Sequence, residues 1–526
     1  MCSSDLYGSD AVGGVVNFIL NKNFKGVELK VDNGVSTYGD GMNYRFSGSA
    51  GFSALDDRLH VLVNAEYFHQ DGVDTINRGW NNADYFQINN PAYTPTNGQP
   101  QRLVGSGFGV STYTTGGLIT SGPLAGTYFL GNNQTAALNF GTRSAVSSPW
   151  MIGGDYKVTM AGHRGTNSLL PTEERIGVFN RVAYDLTNDI QIYGQFSWNR
   201  YEGQSFYQQT PSTGVTIQPD NAYLRTYYPT LAAQVTAPFT IGTSNNGFPA
   251  PGSDNRREVY RYVAGVNGKF GLFGRTWKWN AYYQHGMTKA HEELTNTWNV
   301  ARMALAQDAV IVTSANVGSS GLALGSIACR STLTAPTNGC VPVNRLGIHG
   351  GPDPKALAYI YGAGQPYRDE TIKEDVAAAS ASGELFNLPG GPAAVALGAE
   401  WRKEQISGYV PTEYQPVRNA NGTTTNNWLY GNYLPNFGEY NVKEGFIEVD
   451  LPIVKGINLN AAGRYTDYST SGAVQTWKVG GTYTPLPDIK FRATYSHDIR
   501  APNLQELFAS GTARTNSVIM PANSPL

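Results

Sequence analysis

Residues 291–295, with the sequence HEELT, come closest in this 526-residue chain to a catalytic motif. A helical zinc-protease site needs a second histidine four residues after the first, because two imidazoles one helical turn apart bind the same ion. Position 295 is threonine, and the seven histidines of the chain show no other ligand spacing. The sequence also contains no P-loop, no GxSxG elbow and no CxxC pair. We therefore expect a solvated loop at 291–295, no enzymatic activity and no bound metal or cofactor.

Charged residues recur instead in segments that alternate between polar and apolar side chains. In residues 489–497, Lys490 and Arg492 alternate with Ile489 and Phe491. A period of two predicts a β-strand with one polar and one apolar face. Charged residues in the middle of such segments are Lys278, Glu400, Arg402, Arg464, Lys490 and Arg492. If the segments pair in one sheet, these charges lie on its polar face.

About thirteen segments follow this pattern, and most have the length of about 9 to 14 residues that a tilted strand needs to cross a bilayer. They are residues 27–35, 43–52, 59–69, 176–186, 190–198, 260–270, 277–284, 376–386, 395–403, 445–451, 457–466, 475–483 and 489–497. The sequence therefore predicts an all-β fold whose strands could form a transmembrane antiparallel barrel.

Short and long connections alternate between these segments. The short ones, rich in Gly, Pro, Asn and Asp, are residues 55–57, 187–189, 271–274, 387–392, 452–456 and 485–488. The long ones are residues 72–173, 203–256, 290–373 and 409–437. Loops that long are unusual in a compact soluble domain, whereas membrane barrels have short turns at one rim and large loops at the other. A soluble sandwich, propeller or solenoid remains the alternative, although no fixed internal repeat supports the last two.

Composition excludes two classes of protein. No stretch approaches the roughly 18 consecutive apolar residues of a membrane helix. The net charge is -2 and no basic stripe is present, which argues against nucleic acid as a partner. Charged residues make up only 15% of the chain. This low share fits strands that alternate in polarity and average to a neutral hydropathy.

The N-terminal motif Tyr7, Gly8, Ser9, Ala11, Gly14 and Asn17 resembles the end of the plug domain in TonB-dependent outer-membrane receptors. In that family the motif closes the plug just before the first barrel strand. The resemblance implies that residues 1–25 are the C-terminal remnant of a plug and that residues 26–526 are part of a barrel with long extracellular loops.

The C-terminal segment 493–508 is similar to the mid-barrel signature of the same receptors, with Arg500, Ala501, Pro502 and Asn503 at the barrel rim. The resemblance implies an incomplete barrel with about 13 of about 22 strands. Most of the plug, the energy-coupling box and the remaining strands would then lie outside residues 6–526. We expect that this chain alone does not transport, and that Arg464, Arg492, Lys490 and Glu400 pair with plug groups or water in the lumen.

By this resemblance the function is active uptake of a scarce ligand of the iron-siderophore, vitamin B12 or oligosaccharide class. The implied location is the outer membrane of a Gram-negative bacterium. The implied partners are outer-membrane lipid, the TonB energy-coupling complex, which acts through the N-terminal part, and a small-molecule ligand such as an iron chelate or oligosaccharide. Nucleic acid is not among them.

Two further features of the loops fit the resemblance. Cys329 and Cys340 resemble a small disulfide loop that some of these receptors carry on the outer face, and two unpaired thiols are the alternative. The loop aromatics Tyr207, Trp298, Trp428 and Tyr430 are candidates for ligand contact. Aromatic residues also pack loops together, so their number alone does not define a site.

A soluble or surface-anchored carbohydrate-binding β-protein is the alternative function. Residues 295–299 and 421–433 are rich in Trp, Tyr, Asn and Thr, which suit sugar stacking and hydrogen bonding. The two interpretations differ in a simple property. Residues 26–510 of a soluble protein would fold as a monodisperse species without detergent, whereas a membrane barrel would not.

Overall fold

A single antiparallel sheet of thirteen strands dominates the computed structural model, which describes residues 20–82, 85–131, 133–161, 167–348 and 351–510. Each strand pairs with the next one along the wall, and in the described residues β1 and β13 do not pair with each other. The strands are β1 Gly26–Gly34, β2 Asn43–Ala54, β3 Leu59–Gln70, β4 Thr172–Asp185, β5 Ile190–Phe206, β6 Gly252–Leu272, β7 Arg275–Thr295, β8 Tyr367–Leu388, β9 Gly391–Tyr409, β10 Phe437–Val454, β11 Ile457–Tyr468, β12 Gly472–Leu486 and β13 Ile489–His497. All thirteen predicted segments coincide with these strands.

Several strands are longer than the alternating pattern indicated. β7 has 21 residues and β8 has 22, because their hydrogen-bonded ladder continues beyond the apolar part of the sequence. The expectation of a solvated loop at 291–295 is therefore wrong: these residues are the end of β7. The four long connections accordingly begin and end a few residues away from the predicted bounds, at residues 71–171, 207–251, 296–366 and 410–436.

The two faces of the sheet differ in polarity. Directly opposed residues of an antiparallel pair point to the same side. One face thus collects Arg181, Arg261, Glu374, Glu400 and Arg464, while the other collects mainly alanine, valine, leucine and aromatic residues. Many of the second set are exposed, including Ile447 at 52% and Val479 at 54%. Exposed apolar side chains in such number indicate a face that contacts lipid.

Aromatic residues on this outward face form two girdles. The short turns do not lie directly opposite one another in the sheet. From each strand to the next, the position of the turn shifts by about one residue along the pairing register, which is the stagger expected of a barrel. Residues at the same height in the wall are therefore also offset by about one residue from each strand to the next. The girdle on the side of the long loops contains Tyr44, Tyr67, Trp198, Tyr260, Tyr262, Tyr283, Trp401, Tyr465, Trp477 and Tyr495. The girdle on the turn side contains Phe52, Tyr184, Phe270, Trp277, Trp279, Tyr483 and Phe491. Aromatic girdles of this kind lie at the two interfaces of a bilayer.

Helices are few and short. In the described part of the chain, none has both the length and the hydropathy to cross a membrane. The α-helices are Gly79–Asn82, Tyr156–Thr159, Ala222–Tyr227, Pro229–Ala232, Val300–Gln307, Pro354–Tyr361 and Leu504–Phe508, and 3-10 turns lie at Arg330–Leu333 and Thr412–Tyr414.

The described residues of the four long connections fold into ordered structure, and we call residues 71–171, 207–251, 296–366 and 410–436 together the cap. Residues from the first and second connections share a five-stranded sheet with a buried cluster that includes Ile119, Phe129 and Ile241. A second cluster contains Trp298, Met303 and Ile360. The short strands of the cap are Phe86–Asn89, Arg102–Gly105, Phe108–Val110, Leu118–Ile119, Thr127–Phe129, Thr135–Ala137, Thr142–Arg143, Trp150–Ile152, Ser212–Ile217, Phe239–Thr243, Ala309–Ile311, Ile327–Cys329, Val417–Arg418 and Thr424–Thr425.

Candidate functional site

The inward face of β9, β10 and β11 carries a buried ionic network. The Nη1 of Arg464 donates to Oε1 of Glu444 at 2.5 Å, and the hydroxyl of Thr466 donates to the other carboxylate oxygen at 3.3 Å. The side chains of Arg464 and Glu444 are 4% and 7% exposed. Glu400 lies directly opposite Glu444 across the β9–β10 pair. The register of the β9–β10 pair places these two negative charges side by side. Like charges in this position repel each other, so the wall must supply cations nearby.

Those cations are Arg464 and Arg402. Arg402 lies 3.4 Å from Glu400 and 2.9 Å from Glu404. A cavity of about 310 Å³ is lined by Glu400, Glu444, Arg402 and Arg464 together with Tyr282 and Phe446. Strand pairing thus already brings wall partners within contact distance of Arg464 and Glu400, and pairing of these charges with plug groups or water stays a prediction. Lys490 and Arg492 lie on β13, where both are exposed.

A second ionic group lies on the inward face near the cap. Oε2 of Glu292 lies 2.6 Å from Arg368, and Oε1 lies 3.1 Å from Arg257. His291 points to the other face of β7, where its Nδ1 lies 2.7 Å from Asp369. Because consecutive strand residues face opposite sides, His291 and Glu292 cannot bind one ion. Among the described residues, no group of three His, Cys, Asp or Glu side chains is arranged to hold a metal.

The predicted rim motif leads the chain back into the lumen, and we call residues 498–510 the strap. Asn503 caps the helix Leu504–Phe508 and forms a capping box with Glu506, whose carboxylate also accepts two bonds from Arg500 at 2.8 and 2.9 Å. Leu504 is buried in a cluster whose wall members are Ile406, Tyr440, Val442 and Tyr468, all on the inward face. The strap therefore crosses β12 and β11 and packs on β10 and β9.

The contact between Gly438 and Phe508 makes the position of the strap testable. A Cβ at position 438 would overlap the phenyl ring, so we expect Gly438→Ala to displace the strap at a cost of about 1–3 kcal/mol. Hydrogen exchange of residues 504–508 measures the displacement. In the double variant Gly438→Ala/Phe508→Ala the overlap is removed and exchange should slow again.

Gly463→Ala is the matched control, because a Cβ at position 463 meets no atom within 4 Å. Exchange of the strap that is equal in the wild type and in Gly438→Ala would contradict this packing.

The four candidate ligand-contact residues occupy different environments in the cap. Trp298 is 4% exposed and packs on Phe248, while Trp428 is 6% exposed and its Nε1 donates to the carbonyl of Glu413. The hydroxyl of Tyr430 is hydrogen-bonded to Thr210. Tyr207 is 44% exposed. In this arrangement the two tryptophans stabilise the cap, and Tyr207 is the most exposed of the four candidates. Ligand contact by any of the four stays a prediction.

A buried junction between Asn245 and Arg345 joins two of the connections, and no motif or periodicity in the sequence indicated it. Nη2 of Arg345 donates to Oδ1 of Asn245 at 2.7 Å, and the guanidinium lies 5.3 Å from the ring centre of Phe248. No carboxylate contacts Arg345 in the described part of the chain. Burial therefore lowers the pKa of Arg345 to about 10.

Cys329 and Cys340 are joined by a disulfide in the cap. The adjacent Arg330 ties this segment to the second connection, since its two Nη atoms lie 2.8 and 2.6 Å from the carboxylate of Asp220. Hydrogen bonding by Arg330 holds the pKa of Asp220 below its usual value. The same guanidinium contacts Asp308 at 3.0 Å. The disulfide segment is thus attached to two other parts of the cap.

We expect the double variant Cys329→Ser/Cys340→Ser to destabilise this segment by roughly 3 kcal/mol, because an open chain of this length has more conformations to lose on folding. Protease cleavage between residues 329 and 340 should become faster while the strands of the wall stay intact. Cys2→Ser, which removes the remaining cysteine, is the control. Equal cleavage rates for the oxidised and the double-serine proteins would contradict the prediction.

The predicted plug-end motif at Tyr7, Gly8, Ser9, Ala11, Gly14 and Asn17 lies outside the described residues. The assignment of residues 1–25 to a plug and the corresponding domain boundary stay predictions.

Comparison with known proteins gives one family and several similar structures. The model of the family "TonB dependent receptor-like, beta-barrel" matches residues 201–525, more than half of the chain. The ferric enterobactin receptor PfeA of Pseudomonas aeruginosa is similar over 96% of this chain and 49% of its own, with 14% identity and a TM-score of 0.46. The siderophore receptor PirA of Acinetobacter baumannii is similar over 95% and 47%, with 12% identity and a TM-score of 0.45. This chain spans about half the length of both structures.

Proposed function

The chain belongs to the TonB-dependent receptors, and from this membership we propose that its complete receptor actively takes up a scarce small-molecule ligand across the outer membrane. Barrels of this family are outer-membrane proteins of Gram-negative bacteria, and the family consists of transporters rather than enzymes. The observation that carries the proposal is the wall itself. Its outward face is apolar between two aromatic girdles, and its inward face is lined with ion pairs.

The inward face suits the passage of a polar ligand. Cavities lined by charged side chains occur at two places around the wall, one near Glu400 and Arg464 and one of about 590 Å³ near Glu66 and Arg175. Charged groups hold water against the wall, so a hydrated ligand would not have to enter an apolar channel. We propose iron chelates, vitamin B12 and oligosaccharides as the ligand classes to be distinguished, with energy supplied by the TonB complex through the N-terminal part of the receptor.

Uptake by cells with and without the gene for the complete receptor tests the proposal. Cells are offered a radiolabelled ferric catecholate, labelled cyanocobalamin or a labelled maltooligosaccharide, each below the concentration at which diffusion suffices. One class should lose most of its uptake in the deletion strain, and a protonophore should abolish the same uptake in the wild type. Uptake of all three classes that is independent of the gene would contradict the proposal.

The carbohydrate-binding soluble protein is not favoured. A soluble sheet would turn its charged face outward, whereas the face with Glu444 and Arg464 is buried and the face with Ile447 and Val479 is exposed. Expression of residues 26–510 without detergent tests this directly. A monodisperse, cooperatively unfolding product would favour the soluble protein.

A further inference from the structure

Four lysines form a diagonal row on the outward face, just above the girdle on the cap side. Lys289, Lys373, Lys403 and Lys443 lie on the adjacent strands β7, β8, β9 and β10, each offset by two residues from the next. Such diagonal neighbours have Cβ atoms about 7–8 Å apart. Residues at the same height in the barrel are also offset along the register from strand to strand, so the row of lysines runs nearly parallel to the membrane plane. The row is therefore at the level of the lipid headgroups.

The positive charges of this row are only partly compensated. Lys403 lies 3.2 Å from Glu439, and the Nζ of Lys289 lies over the ring of Tyr260. Lys373 and Lys443 are exposed and have no ion-pair partner among the described residues. Three carboxylates lie directly opposite lysines of the row in the register. Glu258, opposite Lys289, accepts from the hydroxyl of Tyr260 at 2.7 Å, and Asp375, opposite Lys403, is held by Tyr283 and His285 at 2.6 and 2.7 Å, while Asp467 is opposite Lys443.

An apolar depression lies directly below Lys443. It has a volume of about 1230 Å³, and outward-facing side chains supply most of its lining. Its floor includes the directly opposed Ala281, Ala379 and Ala399 of three adjacent strands. Tyr283, Trp401 and Tyr465 stand at its edges. Small residues between large rings leave room for a hydrocarbon chain against the wall.

We propose that this part of the outward face binds a phosphorylated lipid of the outer leaflet, with the phosphate on the lysine row and an acyl chain in the depression. The cations attract the phosphate, and the apolar floor distinguishes a lipid from a free anion. The aromatic girdle between them lies at the depth where headgroup and acyl chain meet. The site is separate from the lumen, so the proposal does not depend on which ligand is transported.

Native mass spectrometry of the detergent-solubilised protein with dioleoyl phosphatidic acid tests the proposal. Each lysine near an anionic headgroup contributes about fivefold to binding, and the carboxylates nearby reduce this, so Lys373→Gln/Lys443→Gln should weaken lipid retention about tenfold. The matched control Lys269→Gln/Lys278→Gln removes two lysines from the inward face and should retain lipid as the wild type does. Ala379→Leu, which fills the depression, should weaken retention with the lysines intact.

Three outcomes would overturn the proposal. The first is equal retention of phosphatidic acid by both lysine double variants. The second is equal retention of phosphatidic acid and phosphatidylcholine by the wild type, which would indicate an unselective lipid annulus. The third is displacement of the lipid by equimolar inorganic phosphate together with no effect of Ala379→Leu, which would indicate an anion site only. Ligand uptake by the complete receptor is a separate measurement, so failure here leaves the proposed transport function testable.

Discussion

Replacing Arg464 with methionine is expected to lower the free energy of unfolding by about 3–5 kcal/mol. The side chain of Glu444 is 7% exposed, and removing its partner leaves a buried carboxylate facing Glu400. A buried charge without its counter-ion loses hydration without compensation. The midpoint of urea unfolding in detergent, followed by tryptophan fluorescence, measures the loss.

Two variants test the cause of this loss. Arg500→Gln breaks an ion pair whose side chains are 58% and 44% exposed, so its cost should be at most about 1 kcal/mol. Arg464→Met/Glu444→Leu removes both buried charges and should recover most of the stability lost by the single variant. If Arg464→Met and Arg500→Gln shift the midpoint equally, burial of the pair does not determine its strength.

Asn245→Ala is expected to loosen the cap by about 4 kcal/mol while leaving the wall folded. The Asn245 side chain accepts from Arg345 and donates to the carbonyl of Thr210 and the hydroxyl of Ser212 at 2.7 and 2.8 Å. Its backbone has a φ of 59°, which alanine adopts at a cost. Alanine therefore loses one buried and two partly buried hydrogen bonds, leaves the Arg345 guanidinium without its amide oxygen partner and strains the turn. Hydrogen exchange of residues 207–251 and 341–348 should rise.

Asn245→Gly separates the two contributions to this loss. Glycine tolerates the left-handed conformation but lacks the amide, so it should recover only the backbone part of about 1 kcal/mol. Thr313→Ala, a change at an exposed cap position, is the control for general effects of substitution in the loops. Exchange that is unchanged in Asn245→Ala would mean that the junction does not hold the two connections together.

Local sequence pattern was sufficient to predict the strands of the wall. Polarity with a period of two marked all thirteen, including 376–386, because each strand contacts lipid on one side and water or ions on the other. Strand ends were less well predicted. β7 continues through residues 285–295 outside the lipid, where both faces are polar and the hydrogen bonds to β6 and β8 maintain the ladder.

The candidate site was predicted only in outline. The sequence indicated that Glu400, Arg402 and Arg464 each lie on the polar face of their strand, because every second residue of a strand points to the same side. It could not show that Glu444 contacts Arg464, because that contact depends on the register between β10 and β11. The loop aromatics were recognised by type alone, and only packing decided that Trp298 and Trp428 lie in the interior of the cap.

The sequence by itself determined the strand number, the two faces and, through its terminal motifs, the family. These depend on properties of neighbouring residues along the chain. Tertiary structure alone decided which charges meet across strands, where the strap returns to the wall, and that Asn245 and Arg345, which are 100 positions apart, join two connections. Such contacts depend on register and loop packing, which bring together residues far apart in sequence and leave no periodic trace in it.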